Sequence, residues 1–263
     1  MPKSPEERKT NAVRKFLILL GREVSSAFHQ PLAYVVLFFF LIVTGFNFQA
    51  GVTLLNTGVG TVTMVQAFFN TVYFWFPFVL VFPLITMRVF AEEAKMGTIE
   101  TLMTAPVRDV QVVFAKYAGC LFFYLILWAP SLIYFVVFRE ITGVNAAEAV
   151  GSYLGAYGML VLMGLLFTAI GCLASALTDN QIVAAIISFA AILGFFFLGL
   201  LSFLLPSTGT FLRELTYYLS PVEHMMDFSQ GVFDTRPVVF YISSSLLLLF
   251  ATYHVFQYRR WKS

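Results

Sequence analysis

Six long apolar runs dominate the chain, over residues 31–50, 67–87, 112–138, 151–177, 182–205 and 237–256. Each holds the roughly 20 residues that a helix needs to cross a hydrocarbon layer about 30 Å thick. None alternates apolar with polar residues, so the pattern predicts spanning helices and not the strands of a membrane barrel. Ahead of the first run, Val13, Phe16, Leu17, Leu20 and Val24 recur at helical spacing within residues 10–28. Arg14, Lys15, Arg22 and Glu23 fall on the other faces. This segment reads as an amphipathic helix lying in the membrane interface.

Punctuation within the runs refines the picture. Pro31 pre-sets the first turn of span one. Pro77 and Pro83 in span two and Pro130 in span three each remove an intrahelical hydrogen bond and predict kinks. Such kinks serve gating in some membrane proteins and are static in others. Span four carries Gly151, Gly155, Gly158, Gly164, Gly171 and Ser175, small residues that let helices approach closely, within a bundle or between subunits. Thr178-Asp179-Asn180-Gln181 makes spans four and five a hairpin. Residues 206–236 are rich in apolar side chains but broken by Pro206, Gly209, Pro221 and Gly231, which predicts two short helices re-entering the outer leaflet.

Composition and charge agree with a membrane location and fix an orientation. Only 11% of the 263 residues are charged and 59% are hydrophobic, against about 25% charged in soluble domains. Basic residues crowd before span one, between spans two and three, and after span six; only Arg139, Arg213 and Arg236 fall on the other side. The excess predicts cytosolic termini. The location expected for a chain of this kind is a cell (prokaryotic inner) membrane. Lys116, inside span three, is expected to snorkel to the interface. Most of the 31 phenylalanines read as lipid-facing surface. Cys120 and Cys172 lie inside apolar runs, where neither a disulfide nor a metal site is expected. His224, near Glu223 and Asp227, reads more readily as a cap of a short helix than as a metal ligand.

Residues 88–110 are the least expected part of the chain, a charged, patterned insert between two apolar spans. Arg88 to Lys95 continues span two outward as helix, and Gly97 is placed to end it in a left-handed conformation. Thr98 caps a second short helix with Glu100 in its first turn, and Pro106 stops it. Ile99, Leu102 and Met103 give that helix an apolar side. It suits seating in a groove of a cytosolic partner, or equally a plain loop facing lipid.

The stretch of Glu92, Glu93, Gly97, Thr98, Glu100, Leu102 and Pro106 resembles the cytosolic coupling region of ABC-2-type transporter permeases. Phe28 to Tyr34 resembles the start of span one in small members. Ser220 to His224, with Phe228, Gly231, Val232 and Asp234 to Arg236, resembles the external helices of gliding-motility-type permeases, though Pro237 departs from that pattern. The resemblance implies one all-α transmembrane domain over residues 1–263. Pro221, His224, Gly231 and Asp234 would belong to its external re-entrant segment. It further implies a dimer or pseudo-dimer driven by a separate cytosolic ATPase subunit, which would bind the ATP and magnesium. Glu92, Glu93 and Glu100 would make polar contacts to that partner, and Arg14, Lys15 or Arg22 would either relay its motion or anchor to lipid headgroups.

The chain itself has no G-x-x-x-x-G-K-[ST] phosphate loop, so it is not expected to be an enzyme. No cofactor, metal or nucleic acid is expected to bind it. Its spans lack the buried acids of ion-coupled carriers and the motifs of intramembrane proteases. Export or extrusion driven by ATP is the function implied. The alternative is a non-transport scaffold of an envelope or gliding-motility machine, with a possible extracytoplasmic accessory subunit.

Overall fold

Every regular element among the described residues, 5–57, 63–97, 108–143, 150–204 and 211–262, is helical in the computed structural model. In chain order these are α1 (Pro5–His29), α2 (Pro31–Asn56), α3 (Met64–Phe69), α4 (Val72–Thr86) and α5 (Ala91–Lys95). They continue as α6 (Asp109–Thr142), α7 (Val150–Leu177), α8 (Gln181–Leu204), α9 (Phe211–Leu219), α10 (Pro221–Ser229) and α11 (Thr235–Lys262). Six stretches are long and apolar enough to span a membrane: α2, Val72–Lys95, α6, α7, α8 and α11. The protein is therefore an all-α, multi-pass membrane protein. At 34 residues, α6 is about 50 Å long and outruns the hydrocarbon layer.

The central helix is α7, which packs against α4, α6, α8, α11 and the short α3 and α10. Its glycines explain how so many neighbours fit. A Cβ at Gly155 would overlap the Phe228 carbonyl of α10, one at Gly164 the Tyr124 ring of α6, and one at Gly171 the Thr86 side chain of α4. The close approach predicted for span four thus takes place inside one chain. Apolar burial does not drive association between helices in lipid; contact density and polar pairing do.

Around α7 lies an aromatic interior, which takes part of the phenylalanines away from a lipid-facing surface that still holds exposed ones such as Phe38, Phe46 and Phe250. Phe40, Phe68, Phe69, Phe74, Phe78 and Phe82 are each at most 2% exposed. Phe40 meets Trp128 edge-on with ring centres 4.8 Å apart, and Phe82 lies 4.8 Å from Tyr124. Such pairs contribute about 0.5–1.5 kcal/mol each beyond the area they cover.

Span two differs from the prediction at both ends. It begins not at 67 but at Val72, after the separate helix α3 and a break at Asn70-Thr71. Asn47 of α2, fully buried, causes the break: its amide donates to the Phe68 carbonyl at 3.0 Å and accepts from the Thr71 hydroxyl. The other end stops at Thr86, so Arg88 to Lys95 is not a continuation of α4 but a turn followed by α5.

Contacts sort the loops into two ends. At one, Arg259 of α11 pairs with Asp179 of the α7–α8 turn, and Phe90 packs on Phe256. At the other, Asn70 donates to Ser229 at 3.3 Å. Helix α1 belongs to the first end and lies along the start of α6, where Gly119 admits Glu23 of α1 closely.

Candidate functional site

Position 86 begins an elbow in the chain. The Thr86 hydroxyl donates to the Phe82 carbonyl at 2.7 Å and its side chain sits against Gly171. One helical turn further along α7, Ser175 is completely buried. Its hydroxyl accepts from the backbone N–H groups of Phe90 (3.0 Å) and Ala91 (3.1 Å) and donates to the Met87 carbonyl at 3.0 Å. A helix start needs acceptors for its free N–H groups, ordinarily supplied by the residue just before it. Here another helix supplies one, so α5 is capped in trans and the elbow is fastened to α7.

A second fastening is ionic. Lys116 of α6 is only 3% exposed, and its Nζ lies 2.7 Å from Glu93 Oε1 of α5 and 3.3 Å from Glu23 Oε2 of α1. It also lies 5.8 Å over the Phe90 ring. Arg22 closes the group, 2.8 Å from Glu23 and 3.9 Å from Glu93. The Glu23 hydrogen bond raises the Arg22 guanidinium further above its ordinary pKa. Two cations and two carboxylates thus balance at the junction of α1, α5 and α6. Lys116 does not snorkel, and Glu23 faces the protein and not the polar exterior predicted for it. Glu93 turns inward to Lys116.

Beyond the ion group the elbow runs to its end. Gly97 has φ 68° and donates to the Ala94 carbonyl at 3.3 Å, the left-handed stop predicted for it. Thr98, Ile99, Glu100, Leu102, Met103 and Pro106 lie outside the described residues. The chain is described again from Arg108, whose N–H bonds the Gln111 side chain at 3.2 Å as α6 begins. Arg14 and Lys15 lie on exposed surface of α1, and Arg22 is tied to the elbow through Glu93.

At the opposite end, the four predicted positions are structural parts of one unit. Ser220 caps α10 by accepting from Glu223 N–H at 3.3 Å, and Pro221 takes its first turn. The His224 side chain caps no helix among the described residues: it is 4% exposed, with Nδ1 3.4 Å from the Tyr241 hydroxyl. Burial pushes its pKa down to about 4, against a smaller opposing pull from Asp234. Gly231, φ 79°, ends α10 with paired bonds from its own N–H to Phe228 and from Val232 N–H to Asp227. Asp234 accepts from Arg236 N–H at 2.9 Å and starts α11.

Sequence reading missed the roles of Ser175, Thr86, Asn47 and Lys116. The one available signal was a lone lysine inside an apolar span, since such charges almost always have a protein partner.

The model of the ABC-2 family transporter proteins matches residues 46–252. The chain belongs to the ABC-2 transporter family. This permease is therefore a membrane component of an ABC transporter, a class in which an ATP-binding partner subunit is implied. Comparison with individually curated proteins gives no significant match. Glu93, Lys116 and Ser175 fall inside the matched stretch; Arg22 and Glu23 precede it.

Proposed function

We propose that this permease exports or extrudes its substrate by taking work from a separate cytosolic ATPase subunit at residues 88–110. The ATPase binds ATP and magnesium. Residues 97–106 seat in its cleft, with Ile99, Leu102 and Met103 as the apolar contact and Thr98 and Glu100 as polar ones. Pro106 ends the seated helix before α6. Nucleotide-dependent closure of two ATPase subunits moves two such elbows in a permease dimer, switching it between two rigid packings. In this reading the end of the bundle bearing the elbow faces the cytosol. The exposed Val13, Leu17 and Ile18 of α1 lie against lipid headgroups and acyl boundary.

The observation that carries the proposal is the double fastening of the elbow, by Ser175 to α7 and by Glu93 to Lys116. A loop that merely joins two spans has no need of a buried trans cap and an ion group closed on a buried lysine. An elbow that must pass force into the bundle needs both, because force passes only through rigid contacts.

The test uses the permease purified with its ATPase and reconstituted in liposomes. Leu102→Asp is expected to cut substrate- or permease-stimulated ATP hydrolysis by at least about tenfold, an apolar seat being worth at least 1.4 kcal/mol. Unchanged stimulation in a complex that still assembles contradicts the reading.

A further inference from the structure

Between α1, α2, α4, α5 and α6, at the end of the bundle that bears the elbow, lies a cavity of about 370 Å³. That volume is within the roughly 300–1,000 Å³ range of small-molecule sites. Its lining is graded along the helices. Arg88, Glu92 and Gln30 line it near the helix ends; Val36, Leu84 and Phe123 line it several residues deeper into the spans. A polar mouth and an apolar floor at interfacial depth match a molecule with a headgroup and a chain.

The charges at the mouth divide into two sets. Lys116, Arg22, Glu23 and Glu93 neutralise one another, as described above. Arg88 and Glu92 have no ion-pair partner among the described residues, although both line the cavity. Arg88 gives one Nη1 hydrogen bond to Gln30 at 3.3 Å, and its buried Nε has no acceptor among the described residues. A guanidinium that lines a cavity with no carboxylate partner among the described residues suits a phosphate, which takes two N–H bonds at once. One turn away on the chain, Glu92 supplies a carboxylate to the same space. A purely anionic ligand would satisfy Arg88 and suffer repulsion from Glu92. A ligand with adjacent phosphate and ammonium groups satisfies both.

We propose that this cleft binds the zwitterionic headgroup of an amine-bearing phospholipid, with the phosphate on Arg88, the ammonium on Glu92 and the acyl chain leaving over Val36 and Leu84. The site does not depend on how the ATPase docks; it needs only a membrane at this depth. Occupancy ties the elbow to α2 through a bound lipid, beside the Arg88 bond to Gln30, the residue just before α2.

The experiment is calorimetric titration of the purified full chain in detergent with four probes. These are dihexanoyl phosphatidylethanolamine, dihexanoyl phosphatidylglycerol, O-phosphoethanolamine and inorganic phosphate. The phosphatidylethanolamine is expected to bind saturably and several-fold more tightly than the phosphatidylglycerol. Arg88→Gln should weaken it at least about tenfold, and Glu92→Gln should abolish the preference over phosphatidylglycerol. Ala33→Trp, which fills the apolar part without touching a charge, should also abolish binding, and Arg236→Gln at the far end should leave it unchanged. Size-exclusion profiles establish that each variant is folded. Equal affinity for wild type and Arg88→Gln overturns the proposal. So does binding of inorganic phosphate or O-phosphoethanolamine as tight as that of the lipid, which would make this a free-phosphate or free-amine site.

Discussion

Lys116 concentrates the unusual chemistry of the protein in one side chain. A buried cation survives only if its partners stay charged and close. Removing it leaves Glu23 and Glu93 facing each other with Arg22 alone to offset them. Lys116→Met should destabilise the purified protein by about 1.5–3 kcal/mol, the scale of charge-assisted hydrogen bonds lost, because the carboxylates left behind are partly exposed and keep Arg22. The triple variant that adds Glu23→Gln and Glu93→Gln should recover most of that loss, because the one charge left, on Arg22, is half exposed to solvent. Thermal unfolding in one detergent reads both, and a silent single variant would contradict the pairing.

His224 makes a second prediction at this scale. It is neutral in the folded protein down to about pH 4, whereas an exposed histidine titrates near 6.5. As the pH falls from 6.5 to 4 the unfolded chain takes a proton that the folded chain does not, so stability is lost across that window. The loss reaches at most about 3 kcal/mol by pH 4. Above pH 6.5 the group contributes no pH dependence. Melting curves of wild type and His224→Gln should therefore run parallel at neutral pH and separate below 6.5, the wild type falling faster. Parallel curves throughout would place His224 in solvent.

Among elements, α7 shows how glycine spacing becomes architecture. Gly155, Gly164 and Gly171 present gaps to three different helices, each filled by a specific carbonyl, ring or hydroxyl. Gly171→Ala should cost about 1–3 kcal/mol through overpacking against Thr86. Adding Thr86→Ala should recover part of it, whereas it would add a loss of its own if the two sites were independent; unfolding of the two variants decides. The six spans, the amphipathic α1, the Gly97 stop and the two short helices after span five were legible because each is local, set by composition, period or one left-handed glycine. The breaks at 70–71 and 87–90 were not legible. Each is made by a side chain distant in sequence, Asn47 in one case and Ser175 in the other, and no local pattern records such a bond. For the same reason the burial of Lys116 and its pairing with Glu23 could not be read from one helix at a time: each looks misplaced until α1 is laid along α6.

For the whole molecule, the fastenings form one path. The elbow is bonded to the central helix by Ser175, to α6 by Lys116 and, through Lys116, to α1. Phe90 adds a contact to the end of α11. A push on the elbow therefore reaches α1, α6, α7 and α11 together, which is what switching between two rigid packings requires. The account stands on the seating of residues 97–106 in an ATP-powered partner. Its most direct test is a photo-cross-linking amino acid placed at Leu102, in the permease co-expressed with its ATP-binding subunit, with Val232 at the far end as the control position. The prediction is covalent capture of the ATP-binding subunit, identified by mass, from position 102 and not from 232, with a yield that changes when ATP is added. Capture of lipid alone from position 102, or equal capture from both positions, would contradict it.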